Sequence, residues 1–266
     1  MDLFLTNKVA LVTGASAGIG KAVAQELARE GCRLVLCARN QKPLEEVSQL
    51  ISTKFHNSEV ITVCADAQNG QDSFRIVEGA LRRFGEINIL INNTEGSPFY
   101  LADPENISED EWHNILTGKL LGYIRMTNLV LPIMKKKNWG RIINLVGLSG
   151  KEPSVELLKT GVVNAGLMNF TKAVAKYSAE YNILINSINP GFIETSRFKQ
   201  FVEIQAEQLK EPSSIVEKKL ANKIPARRPG CASEVASLIA FLASERASYI
   251  TGTTIPVDGG LSTSVF

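Results

Sequence analysis

Five short runs of aliphatic and β-branched residues recur along the chain: Val9-Ala-Leu-Val-Thr13, Arg33-Leu-Val-Leu-Cys37, Val60-Ile-Thr-Val-Cys64, Ile87-Asn-Ile-Leu-Ile91 and Arg141-Ile-Ile-Asn-Leu-Val146. Each is too short for a helix and apolar in most positions, the pattern of a strand buried on both faces. Amphipathic stretches of helical length separate them, at 18–30, 42–55 and 70–84, with longer ones at 108–137 and 155–180. Parallel neighbours need a crossover of about a dozen residues, commonly a helix, and that crossover is right-handed. The alternation therefore predicts an α/β fold, a Rossmann-like doubly wound parallel sheet with helices on both faces. With 266 residues and neither internal repeat nor low-complexity linker, residues 1–266 are expected to form a single domain.

The charge balance narrows the partners. Lys and Arg total 29 against 27 Asp and Glu, a net charge of +2, which lacks the basic excess of a nucleic-acid binder. No apolar run is long enough to cross a bilayer, and Met1–Lys8 carries an acid and no signal-peptide stretch, so a soluble, cytoplasmic protein is expected. Cys32, Cys37, Cys64 and Cys231 show no CxxC spacing and read as reduced thiols. With His56 and His113 far apart in polar surroundings, no metal site is expected. A small-molecule substrate is the partner that remains.

Two segments break the alternation. Residues 93–107 are polar and contain Pro98 and Pro104, and residues 192–230 are rich in Lys and Glu and broken by Pro212, Pro225 and Pro229. Loops following parallel strands gather at the carboxyl edge of the sheet, where ligands bind. Segment 192–230 is thus a candidate substrate lid, or else a solvated surface insertion; pattern alone does not separate the two.

The sharpest chemical signal follows the first strand. In Thr13-Gly14-Ala15-Ser16-Ala17-Gly18-Ile19-Gly20, Gly14 permits a sharp turn, Gly18 a close backbone approach and Gly20 close helix–strand packing. The N–H groups of Ser16, Ala17, Gly18 and Ile19 at the helix start then face a pyrophosphate. Strand before and helix after make this a dinucleotide site. The second strand ends in Arg39-Asn40, where an acid would accept the ribose 2′-hydroxyl of NAD. A guanidinium there offers its fork to a 2′-phosphate, so NADP(H) is favoured over NAD.

That turn resembles the cofactor motif of the short-chain dehydrogenase/reductase family, and the likeness runs nearly the whole length. Asp66-Ala67 resembles the family's adenine-contacting position, and Asn92-Asn93 opens a segment similar to its Asn-Asn-Ala-Gly motif. Asn189-Pro190-Gly191-Phe192-Ile193-Glu194-Thr195 resembles its loop over the nicotinamide, and Thr251–Gly260 its last strand. The resemblance implies a Rossmann-like subunit of a homotetramer or dimer. It also implies that Asp66, Ala67, Asn92, Pro190, Gly191, Ile193 and Thr195 join the glycine turn in holding the cofactor.

The chemistry departs from the family's Asn, Ser, Tyr and Lys tetrad. Counted without gaps from Gly140-Arg141-Ile142-Ile143-Asn144, the serine position is Gly147, the tyrosine position Thr160 and the lysine position Asn164; the asparagine position is Lys119. Lys151-Glu152-Pro153 with Thr160 resembles a divergent branch labelled 3-oxoacyl-carrier-protein reductase, although that branch often has Arg where Asn164 stands. A threonine hydroxyl titrates too high to be a useful acid, and losing general acid–base help costs roughly a hundred- to ten-thousand-fold in rate. Lys119 is the candidate replacement, as polarising group or proton donor, with Glu95 as its counter-ion; the same two residues read equally as a structural ion pair. The expected activity is an atypical NADP(H)-dependent interconversion of carbonyl and secondary alcohol, possible on 3-oxoacyl thioesters. The alternative is a catalytically inactive pseudoenzyme that binds dinucleotide as sensor or scaffold.

Overall fold

The computed structural model describes residues 2–56, 58–94 and 103–265. Strands β1 (Val9–Thr13), β2 (Arg33–Ala38), β3 (Val60–Cys64), β4 (Ile89–Asn92), β5 (Gly140–Leu145), β6 (Ile183–Pro190) and β7 (Thr254–Val257) form one sheet in the order β3-β2-β1-β4-β5-β6-β7. Every pairing is parallel. The order turns back between β1 and β4, which places a crevice above their carboxyl ends.

Helices α1 (Gly18–Arg29), α2 (Gln41–Lys54), α3 (Gly70–Phe84), α4 (Glu109–Ile115), α5 (Leu121–Lys137), α6 (Leu158–Ser178), α7 (Ser196–Leu209), α8 (Ser213–Lys223) and α9 (Ala232–Ala243) complete the fold. Alternate residues of the central strands feed two cores. Val12, Leu36 and Ile91 pack with Val23 and Leu27 of α1, Leu44 of α2 and Ile239 of α9. Leu11, Val35 and Leu90 face the other way, onto Ile76 of α3 and Met126 and Val130 of α5. Burial on both faces is why these strands read as continuous apolar runs. Burial also pushes the Cys32 and Cys37 thiols up to about 12, so both stay protonated, unreactive core side chains. All four cysteines are free.

Two helical expectations need correction. The stretch 108–137 is not one α-helix: α4 ends at Ile115, and a π turn over Leu116–Leu120 leads into α5. The wider turn brings Gly118 against Gln68, where a β-carbon would stand 2.9 Å from Gln68 Oε1, and changes the direction in which Lys119 leaves the helix. The stretch expected from 155 begins as helix only at Leu158.

Segment 192–230 contains α7 and α8, which share an apolar cluster of Phe198, Val202, Ala206, Val216 and Leu220 with Phe192 and Phe201 at its edge. Its ends are tied at a neck. Glu194 N–H donates to Gly230 O (2.9 Å), and Gly230 N–H donates to Phe192 O (2.9 Å). Among the described residues no helix is long and apolar enough to cross a membrane, and no cluster of His, Cys, Asp and Glu could hold a metal ion.

Candidate active site

The glycine turn is built around Asn93. Its side-chain amide donates to Thr13 O (3.3 Å) and Gly14 O (3.2 Å), while its own N–H donates to Thr13 Oγ1 (2.9 Å). Thr13 Oγ1 in turn donates to Ile91 O (3.1 Å), so the end of β1 is laced to the end of β4. A β-carbon on Gly14 would stand 2.2 Å from Asn93 O, and one on Gly20 2.1 Å from Gly14 O, so only glycine closes this turn. Gly14 and Gly18 also have positive φ, 63° and 53°. No side chain caps α1 at Ala17. First-turn N–H groups are thus left for an anion, which the positive end of the helix dipole also favours.

The neighbouring loops have the form a dinucleotide needs. Arg39 and Asn40 are exposed directly beyond β2, with Cys64 Sγ–H donating to Arg39 O at 3.3 Å to fix the backbone there. Half-buried Asp66 accepts Gln68 N–H (3.0 Å) and its N–H donates to Asp72 Oδ2 (2.8 Å), which holds the Asp66-Ala67 turn after β3. On the opposite side Pro190 ends β6, Gly191 N–H donates to Val257 O (3.0 Å), and buried Ile193 forms the neck of the α7–α8 excursion. Thr195 caps α7 and lies over the phosphate turn: a β-carbon on Gly18 would be 3.2 Å from Thr195 Cγ2.

Beneath the crevice runs a buried polar ladder. Asn92 Nδ2 donates to Asn144 Oδ1 (2.8 Å), and Asn144 Nδ2 and Ser187 Oγ both donate to Thr171 Oγ1 (2.9 and 2.8 Å). It ties β4, β5, α6 and β6 together. Asn92 is fully buried, and its Oδ1 has no partner among the described residues.

Lys119, Asn164 and Ser149 form a connected polar chain. Lys119 Nζ donates to Asn164 Oδ1 (3.1 Å), and Asn164 Nδ2 donates to Ser149 Oγ (3.0 Å). The ammonium also lies 5.6 Å from the Tyr123 ring centroid, within reach of a cation–π attraction. Tyr123 is itself anchored by its hydroxyl, 3.0 Å from Thr94 O and 3.2 Å from Leu145 O. Ammonium has donors only, which forces the amide oxygen of Asn164 toward Lys119 and its nitrogen toward Ser149. A hydrogen bond to a charged group is worth about 1.5–3 kcal/mol. Gly147 follows from this arrangement: a β-carbon there would stand 2.7 Å from Asn164 Nδ2. Asn189 steadies the same strand end, its Nδ2 donating to Val146 O (2.6 Å) and Gly147 O (3.3 Å).

Of the residues singled out by sequence, Lys119 and Asn164 come together. Thr160 is turned back into its own helix, its hydroxyl donating to Leu157 O (3.0 Å). Glu95 lies outside the described residues. Asn93 and Asn189 carry structure that sequence reasoning did not assign to them, although the doubled asparagine at 92–93 and the Asn-Pro-Gly loop marked their positions. Ser149, two residues beyond Gly147, is expected from sequence to reach inward only if the strand ends differently.

Comparisons with known proteins identify the family. The family described as enoyl-(acyl carrier protein) reductase matches residues 14–262. The NADPH-dependent reductase BacG of Bacillus subtilis is 37% identical over 261 residues, 98% of this chain and 100% of the relative. The 3-oxoacyl-[acyl-carrier-protein] reductase FabG of Pseudomonas aeruginosa is 33% identical over 257 residues, covering 97% and 98%. Among solved structures, YwfH, an NADPH-dependent reductase involved in bacilysin biosynthesis, superposes with a TM-score of 0.93 at 37% identity, covering 98% of this chain and 100% of its own. L-sorbose reductase from Gluconobacter frateurii, solved with NADPH and L-sorbose, gives 0.93 at 29% identity over 99% and 100%. Sheet order, phosphate turn and full-length similarity to reductases of known structure together place the chain in the short-chain dehydrogenase/reductase family.

Proposed function

We propose that the protein is an NADPH-dependent reductase interconverting a carbonyl and a secondary alcohol, with Lys119 in place of the family's tyrosine acid. The observation that carries this is the Lys119–Asn164 hydrogen bond, which fixes an ammonium at the tetrad location of a chain whose phosphate turn is intact. The NADPH-dependent relatives and exposed Arg39 support the coenzyme, with Arg39 and Asn40 at the 2′-phosphate. Gly14, Ser16, Ala17, Gly18, Ile19 and Gly20 hold the pyrophosphate, and Asp66 and Ala67 the adenine. Asn92 supports the cofactor cleft from beneath, and Pro190, Gly191, Ile193 and Thr195 enclose the nicotinamide end.

When bound, NADPH supplies the hydride that reaches the carbonyl carbon. Lys119 donates an Nζ proton to the carbonyl oxygen, giving the alcohol, and is reprotonated from solvent. Asn164 orients Lys119 from the side away from solvent, as its burial requires. Thr160, its hydroxyl bonded to Leu157 O, does not supply the proton. The α7–α8 excursion is the substrate lid of a single-domain subunit, since its neck joins the loop that lies over the phosphate turn. Likeness to FabG makes a 3-oxoacyl thioester the first substrate class to try, and the family resemblance supports a homo-oligomer.

The test follows NADPH absorbance with acetoacetyl-coenzyme A and a panel of ketones. Lys119→Ala is expected to lower turnover by roughly a hundred- to ten-thousand-fold, with NADPH affinity little changed. Unaltered turnover in the variant removes Lys119 as proton donor. Tight NADPH binding by the wild type with no consumption across the panel assigns the chain to the inactive dinucleotide-binding alternative.

A further inference from the structure

Ser149 holds a proton that no described residue accepts. It lies on the 3-10 turn Leu148–Gly150 immediately beyond the carboxyl end of β5 and is 8% exposed. Its Oγ accepts from Asn164 Nδ2, and the polarity of that bond is dictated from the far side of the amide by Lys119. The hydroxyl hydrogen must therefore point elsewhere, and it has no acceptor among the described residues. A buried hydroxyl donor without a partner costs about 1–3 kcal/mol, a cost that an incoming acceptor removes.

The turn is pressed onto α6. A β-carbon on Gly150 would stand 2.9 Å from Asn164 Cβ and Ala165 N, and one on Gly161 3.1 Å from Ser149 O. These contacts hold Ser149 against Asn164, two residues beyond the side-chain-free Gly147. From this geometry we infer that Ser149 Oγ–H donates to the carbonyl oxygen of the substrate, beside the Lys119 ammonium. The inference rests on the Lys119 reading above. It puts a hydroxyl donor at residue 149, beside a residue 147 that carries no side chain while Asn164 fills the space. Asn164 is then the shared support of two donors, its oxygen turned to the ammonium and its nitrogen to the hydroxyl.

Two measurements test it. In steady-state reduction of acetoacetyl-coenzyme A, or of whichever panel ketone is consumed, Ser149→Ala is expected to lower kcat by about a hundred- to thousand-fold, as loss of one donor to a developing oxyanion does. Ser149→Ala combined with Asn164→Ala separates direct contact from indirect support. If Ser149 touches substrate, the serine substitution costs a similar factor in either background; if it only steadies Asn164, it costs nothing once Asn164 is gone, and the inference falls. Independently of turnover, the infrared carbonyl band of the carbon-13-labelled ketone in the complex with oxidised coenzyme should shift to higher wavenumber in Ser149→Ala. An unmoved band also overturns the inference. A loss in Lys119→Ala with none in Ser149→Ala removes Ser149 alone, while no consumption by the wild type removes both readings.

Discussion

Gly147 and Asn164 compete for one space: the amide nitrogen of Asn164 stands 2.7 Å from where a β-carbon on residue 147 would be. Residues 147 and 164 are therefore coupled: one carries no side chain where the other carries its amide. A side chain at 147 would force out the amide that bonds Lys119 on one side and Ser149 on the other. The Asn164 amide fills the space beside Gly147, and the ammonium it bonds comes from the π turn before α5.

The first prediction follows from that competition. Gly147→Ala should destabilise the protein by about 1–3 kcal/mol, the usual cost of inserting a group into a packed site. In an Asn164→Ala background the same change should cost clearly less, because the obstructing amide is absent. Urea unfolding of the four proteins checks it, and additive effects would refute the shared space.

Coenzyme choice is expected to turn on Arg39. Replacing it by Asp removes a guanidinium from the 2′-phosphate and supplies an acceptor for a ribose hydroxyl. With about 1.5–3 kcal/mol for a charge-assisted bond, the ratio of NADPH to NADH affinity should fall about tenfold or more. Fluorescence titration with both coenzymes measures the ratio.

Closure of the phosphate turn is expected to tolerate nothing larger than hydrogen at residue 20. A β-carbon there meets Gly14 O at 2.1 Å and Asn93 Nδ2 at 2.5 Å, and the first of these is backbone. Gly20→Ala should weaken NADPH binding in calorimetry and lower the melting temperature. Native-like values for both would show that the turn can shift to make room.

Glu152 should make the carboxyl-terminal tail sensitive to acid. It accepts from Ser264 N–H (2.6 Å), Thr263 N–H (2.8 Å) and Thr263 Oγ1 (3.0 Å), and these bonds, the one from Ser264 foremost, hold its carboxyl at about 2 rather than 4.5. A depressed carboxylate pKa contributes stability that is present above the ordinary value and lost as pH falls through the folded one. The tail is thus expected to stay docked at pH 5 and to be released as pH falls from 4.5 toward 2. Glu152→Gln should release it at neutral pH. Carboxypeptidase digestion at neutral pH checks the variant, and hydrogen exchange across the acid range checks the wild type.

The parallel sheet with helices on both faces and the glycine turn were legible in the sequence because each rests on short-range regularities. Runs such as Val9–Thr13 are apolar on both faces, helices repeat their apolar residues every three or four positions, and the turn has its glycines at fixed offsets. Counting from Gly140 also singled out Gly147, Thr160 and Asn164. What those residues do was decided only when the chain folded. Asn164 meets Lys119 across 45 positions and Ser149 across 15, and Asn93 reaches Thr13 across 80. The π turn that aims Lys119 has no periodic signature, and a hydrogen bond's direction depends on which donor stands on its far side. Local pattern specifies which elements form, whereas partners brought together by different strands and helices exist only in the packed structure.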